Sequence, residues 1–300
     1  MTYSRILLLL LGLMLAASAR AELPASLAQA AAQLATAPDQ RQSMVADLAD
    51  ALKSGVTEQD LQSVMRLAVT NKYSAANAAA FIRQLATMRK DDLPVALVRD
   101  KILEGMAKKV PSASILAVAS EWQAALRDAR SSVQAMEERG LKYKKDGERD
   151  TLINLGAGLR QHYGAKEALT RLAESASAGG RMAPSAGNLI AAGNLAELFL
   201  LHNATLAQAL ELPSASLRAG YTPAQIQTLQ RDAFDQLRQG VAPEDIVAGM
   251  RRQFGPAWGT PPTRQPFNTP VQPLNTPGGS WPGSGPGNRP GGMPGGSYPH

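Results

Sequence analysis

Acidic side chains are the first candidates for chemistry in this sequence, because two carboxylates can act as the acid and the base of a glycoside hydrolase. They occur as Asp91-Asp92, as Glu137-Glu138, and as the group Asp146, Glu148 and Asp150. Hydrolysis also requires a cleft that holds two of them at a fixed separation, which a sequence does not show. Asp91-Asp92 precede Leu93-Pro94, where we expect a helix N-terminus that favours carboxylates in any case. We therefore assign no catalytic residue.

Histidine and cysteine patterns do not indicate a metal centre. There is no cysteine, so thiolate ligands and a thiol nucleophile are excluded. The three histidines are His162, His202 and His300, and no two of them have the spacing of a zinc pair. His162 and His202 lie near expected helix ends, where a polar side chain satisfies terminal carbonyl groups. The sequence predicts neither a metal site nor a cofactor site.

Nucleotide and nucleic-acid binding are also not favoured. Gly156-Ala-Gly158 resembles part of a phosphate-binding loop, but it follows no strand and lacks the third glycine. The net charge of +6 suggests a polyanion as partner, yet four basic residues fall outside 22–254, whereas all 25 acidic residues fall inside it. That segment is therefore close to neutral and has no single-sign field. The basic run between Arg139 and Lys145 is followed at once by acids, which is typical of a solvated turn.

The N-terminus has the pattern of a secretory signal peptide. Arg5 precedes an apolar run from Ile6 to Ala17, and Ala19-Arg20-Ala21 forms a small-x-small cleavage site. The run is too short to span a bilayer, which takes about 20 residues. We expect residues 1–21 to be removed, leaving a periplasmic or secreted protein with no transmembrane span.

The C-terminal segment 255–300 has the composition of a disordered tail. Its 46 residues include 11 Gly and 12 Pro and no acid, so it cannot bury enough apolar area to offset the entropy of ordering. Two related stretches, 265–270 and 272–277, repeat the pattern Gln-Pro-Phe/Leu-Asn-Thr-Pro. This repeat is either a docking motif for an aromatic groove or low-complexity drift in a linker.

The segment 22–254 has the periodicity of an all-helical domain. Strand patterns are scarce, and most of its prolines stand where a helix would begin. Helices are predicted near 25–36, 40–54, 58–70, 75–90, 93–108, 112–138, 148–163, 165–177, 185–202, 204–211, 223–239 and 243–253. Breaks between subdomains are expected near 139–147 or 179–184.

One helix-start pattern recurs along this domain. A glycine ends the preceding helix, an apolar residue follows, and five residues later another apolar residue allows a hydrophobic staple. In two copies Thr57 or Thr222 can cap the new helix, and Thr222 with Gln225 fits a capping box. Val56, Tyr221 and Val241 occupy the first apolar position in three copies, and Tyr73 and Val110 do so in two weaker copies. The copies are unevenly spaced, so they predict an irregular array of antiparallel helix pairs, each a helix-turn-helix unit.

These observations favour an exported, non-enzymatic helical scaffold that binds a protein or glycan of the cell envelope or exterior. The alternative is an envelope hydrolase that acts on cell-wall polymer through its carboxylates. A deep pocket with two close carboxylates would favour the hydrolase, and a broad helical surface would favour the scaffold.

Overall fold

The computed structural model describes residues 23–178 and 185–254, and every regular element in these two ranges is an α-helix. The expected signal peptide (1–21), the expected disordered tail (255–300) and the stretch 179–184 lie outside the described residues. The twelve described helices are α1 (Ala25–Leu34), α2 (Pro38–Lys53), α3 (Glu58–Thr70), α4 (Ala75–Lys90), α5 (Ala96–Ala107), α6 (Ser112–Glu138), α7 (Glu148–Tyr163), α8 (Ala168–Ala178), α9 (Ala186–Leu201), α10 (Leu206–Arg218), α11 (Pro223–Arg238) and α12 (Pro243–Phe254). The all-α prediction is confirmed.

Eight of the described helix ends form the same tight corner. One residue adopts a left-handed backbone conformation, and the next residue, which is Ala204 at one corner and a larger apolar residue elsewhere, donates its N–H to the carbonyl five positions back. The left-handed residues are Gly55, Lys72, Asp92, Lys109, Gly140, Asn203, Gly220 and Gly240. Glycine adopts this conformation at no steric cost, but half of the corners use another residue.

Side-chain caps begin several helices as the sequence predicts. Thr57 accepts a hydrogen bond from the N–H of Asp60 at 3.1 Å, and Thr222 forms a capping box with Gln225. A further capping box, between Thr205 and Gln208, begins α10 and was not predicted. Caps of this kind typically contribute about 1 kcal/mol each to helix stability.

The first six helices form two layers. Helices α1, α3 and α5 lie side by side in one layer, and α2, α4 and α6 lie side by side in the other. The corner at Gly55 recurs at Asp92, and the corner at Lys72 recurs at Lys109, in both cases 37 residues later. We call helices α1 to α6 the repeat array. It is more regular than the sequence predicts.

The regular pattern ends within α6. A corner would be due near Ala129, but α6 continues as one helix of 27 residues to Glu138. Helix α7 then packs antiparallel along the second half of α6. The remaining helices surround α9, whose neighbours are α7, α8, α10 and α11, and α12 packs on α10. The packing of the helices that follow the repeat array is therefore irregular, as the uneven spacing of the sequence pattern predicts.

Predicted boundaries of α5, α8 and α10 are wrong by three residues or more, and α8 begins at Ala168 rather than at residue 165. The helix expected over 204–211 runs to Arg218 and carries Pro213 inside it. Proline normally ends a helix because it lacks an N–H. Here the helix continues because residues 209 to 217 are packed among neighbouring helices, with all but Glu211 buried. Helix α5 begins at Ala96 rather than at Leu93, which belongs to the corner.

Candidate functional site

Asp91 and Asp92 lie at the C-terminal end of α4, so their predicted place at a helix N-terminus is wrong. Acids are unfavourable there, because the helix dipole is negative at its C-terminal end. Arginines from later helices offset this. Arg127 on α6 donates from Nε to Asp91 Oδ2 at 3.0 Å, and Arg149 on α7 places Nη1 3.0 Å from Asp92 Oδ2.

Glu137 extends this group of charges. Its Oε1 accepts a hydrogen bond of 2.7 Å from the hydroxyl of Tyr143 and one of 3.1 Å from Nε of Arg149. Burial, together with the bond to Glu137, raises the pKa of Tyr143, so this hydroxyl stays protonated and donates. Arg149 therefore bridges Asp92 at the corner after α4 and Glu137 at the end of α6. We call these side chains, with Asp91 and Arg127, the arginine clasp.

The remaining acids named from the sequence also have structural surroundings. Glu148 and Asp150 lie in the first turn of α7, where acids stabilise the helix, and Glu148 accepts the backbone N–H of Lys144 at 2.8 Å. Glu138 and Asp146 are exposed. The structure brings Asp92 and Glu137 together, but through a shared guanidinium rather than across a cleft.

The best-formed cavity among the described residues is very small. It lies between α6, α7 and α8, with Ala129, Gly156 and Leu169 in its wall and Arg160 and Asp128 at its rim. Its volume is about 10 Å³, which is roughly the room for one water molecule. It could not enclose a sugar or a nucleotide.

The glycine pair in α7 has a packing role. Gly156 lies in the middle of the helix, and a Cβ placed there would come 2.6 Å from Leu169 and 3.1 Å from Ala129. Gly158 faces open space. The resemblance to a phosphate-binding loop therefore reflects a close approach of three helices.

The histidines lie apart from one another. His162 is in the last turn of α7, with its ring centroid 5.3 Å from that of Trp122, and His202 ends α9. His300 lies outside the described residues. Within the described ranges, no group of three or more His, Asp or Glu side chains could hold a metal ion.

The repeat array carries a ladder of polar contacts between parallel neighbours. In the second layer, Arg83 pairs with Asp47 at 2.8 Å and Lys90 pairs with Asp50 at 2.6 Å, which joins α2 to α4. In the first layer, the buried Asp60 of α3 pairs with Arg99 of α5. These pairs were not predicted from the sequence, although their separations of 36 to 40 residues reflect the repeat.

No helix in the described ranges combines the length and the apolar character that crossing a membrane requires. The chain matches no family model, no curated protein and no solved structure at a significant level.

Proposed function

We propose that this protein is an exported, non-enzymatic scaffold that binds another macromolecule of the cell envelope or exterior through its repeat array. The observation that carries the proposal is the two-layer packing of α1 to α6 with a period of 37 residues. Arrays of this kind present the same surface position once per repeat and are suited to binding extended partners.

The polar ladder supports this role. Neighbouring helices within each layer are joined by ion pairs and amide contacts, such as that from Gln84 Nε2 on α4 to Gln123 Oε1 on α6 at 2.8 Å. The arginine clasp then fixes the end of the array to α7. A partner would meet a surface that is already ordered, so binding would cost little conformational entropy.

The hydrolase alternative has less support. Asp91, Asp92 and Glu137 are each paired with an arginine, so these carboxylates are held in ion pairs rather than presented to each other across a cleft. The signal-peptide pattern and the tail composition support export and a role outside the cytoplasm. The tail repeat at 265–270 and 272–277 offers a second contact for the same partner.

Site-specific photo-cross-linking in intact cells tests the scaffold proposal. A photoreactive residue is placed at Thr87 on α4 or at Arg66 on α3, both of which are exposed on the array. The matched control is Gln227, which is exposed on α11 outside the array. We expect one and the same envelope macromolecule to be cross-linked from an array position and not from Gln227.

Two outcomes would contradict the proposal. One is the absence of any adduct from either array position, and the other is equal cross-linking from Gln227. A fractionation of the same cells tests export separately, because the proposal requires the protein to be found outside the cytoplasm with its N-terminus at Glu22 or Arg20.

A further inference from the structure

One edge of the repeat array is formed by three helix connections that lie next to one another. Consecutive helices are antiparallel and helices of one layer are parallel, so the segments 34–41, 70–77 and 107–114 share this edge. Two hydrogen bonds join the second segment to the last turn of α5 and to the third segment. Asn71 Nδ2 donates to the carbonyl of Met106 at 2.9 Å, and the Tyr73 hydroxyl donates to that of Val110 at 2.8 Å. We call these three segments the basic edge.

Exposed cations dominate the basic edge. Within its three segments, all of them described, the charged residues are Arg41, Lys72, Lys108 and Lys109 against the single acid Asp39, and all five are exposed. Lys108 pairs with Glu104 one turn earlier on α5. Arg41 donates from Nε to the carbonyl of Ala35, a neutral partner that does not offset its positive charge. Lys72 and Lys109 have no ion pair with any described residue.

The helices that begin at this edge have few acids in their first turns. Helices α2, α4 and α6 begin here; α2 has Asp39 in its first turn, and neither α4 nor α6 has an acid there. An acid is the usual complement of the positive N-terminal end of a helix. The opposite edge differs, because there Asp91 and Asp92 are matched by the arginines of the clasp.

Lys72 and Lys109 occupy these positions at a conformational cost. Their φ angles are 57° and 56°, in the left-handed region where glycine is favoured and stands at four of the eight corners. The same cost is incurred at the same position of two successive repeats. At both corners the lysine therefore supplies a positive charge that glycine would not.

We propose that the basic edge docks the protein on a surface of anionic phospholipid headgroups. The cations stand on adjacent helix connections, about 8–10 Å apart as side-by-side helices are. A headgroup layer offers anions at any position along such an edge and needs no fixed register. Clusters of four or more Lys and Arg residues are typical of proteins that bind anionic membranes in this way.

This inference rests on the proposed location in the envelope, and its test does not depend on that location. The full-length chain is mixed with vesicles rich in phosphatidylglycerol, or with vesicles of phosphatidylcholine alone, at low ionic strength, and the bound fraction is measured by sedimentation. The double variant Lys72→Gln/Lys109→Gln is compared with Lys144→Gln/Lys145→Gln, which removes two exposed cations from the loop before α7. All chains keep the same N-terminal apolar segment, so its contribution cancels.

We expect binding to phosphatidylglycerol vesicles and a loss of about fivefold in affinity per edge lysine, or roughly 25-fold for the double variant. The loop variant should stay within about twofold of the parent chain. Lys72→Arg/Lys109→Arg should restore binding, because it keeps the charge at the same backbone positions. Circular dichroism confirms that each variant is folded.

The proposal is overturned if the parent chain does not bind phosphatidylglycerol vesicles. It is also overturned if Lys144→Gln/Lys145→Gln loses as much affinity as Lys72→Gln/Lys109→Gln. Binding to soluble polyglutamate but not to vesicles would also overturn it, because the partner would then be an acidic polymer. A failure in this assay leaves the cross-linking test of the scaffold unaffected, so the two proposals can fail separately.

Discussion

The hydroxyl of Tyr73 donates a hydrogen bond of 2.8 Å to the carbonyl oxygen of Val110, the residue that occupies the same corner position 37 residues later. The ring of Tyr73 also meets that of Phe81 edge to face, with centroids 5.8 Å apart. This side chain therefore belongs to the core on one side and joins two successive repeats on the other. It is the most direct physical link between the sequence period and the packing of the array.

Tyr73→Phe should remove the link between repeats while keeping the ring. The carbonyl of Val110 loses its donor in a partly buried place, so we expect the free energy of unfolding to fall by about 1 kcal/mol. The control is Tyr163→Phe, whose hydroxyl has no hydrogen-bond partner among the described residues, and it should change stability by less than about 0.5 kcal/mol. Urea unfolding measures both, and equal effects would show that the bond contributes nothing.

Lys109→Gly should stabilise the protein. Glycine relieves the left-handed strain at φ 56°, which we expect to outweigh the lost interaction with the helix end and to raise the free energy of unfolding by about 0.5–1 kcal/mol. Asn203→Gly is the control, because asparagine already tolerates this conformation, and it should be nearly neutral. A lower thermal midpoint for Lys109→Gly would mean that the lysine side chain stabilises the corner.

The glycines of α7 should respond in opposite directions to alanine. At Gly156 the new methyl group would press on Leu169 and Ala129, so Gly156→Ala should destabilise by roughly 1 kcal/mol despite its better helix propensity. At Gly158 nothing lies within 4 Å, so Gly158→Ala should stabilise by about 0.5–1 kcal/mol. Thermal unfolding of the two variants side by side checks the assignment, and the same sign for both would refute it.

Local helix signals were enough to predict the fold class and most helix positions. The corners at Val56, Tyr221 and Val241 were recognised because glycine precedes each of them and glycine is the usual left-handed residue. The caps at Thr57 and Thr222 were recognised from side chains that bond to the next turn. These features depend only on residues close in sequence, which is why they can be read without a structure.

The 37-residue period was not predicted, because its corners share a backbone conformation and not a residue type. Asp92 holds the position that Gly55 holds one repeat earlier, but next to Leu93-Pro94 its residue type predicts the start of a helix. The partner of Asp92 and Glu137 also could not be predicted. Arg149 contacts them only because α6 continues beyond Ala129, where the period would place a corner, and α7 then packs against it. Contacts between residues far apart in the sequence determine both the period and these ion pairs.

Glu104 should titrate well below an ordinary glutamate. Its hydrogen bonds and ion pairs with Lys108 and Lys101 lower its pKa from 4.5 to about 2. Because the pKa is lowered in the folded protein, the ion pairs contribute their stability above about pH 4.5 and lose it as the pH falls toward 2. Carboxyl NMR on the folded protein measures the midpoint, and Lys108→Gln should move it upward. A midpoint at the ordinary value in the parent chain would contradict the pairing.

Deletion of one complete repeat tests most directly the central claim that α1 to α6 form a periodic array. Removing residues 73–109 joins Lys72 to Val110, so the corner that preceded α4 now precedes α6. The control deletion, 77–109, leaves four extra residues at the junction and displaces α6 by about one helical turn. We predict a single cooperative thermal transition for the first deletion, at a lower midpoint because α3 loses its cover from α5, and loss of cooperativity for the second. Equal behaviour of the two chains, or failure of the in-register deletion to fold, would contradict the account.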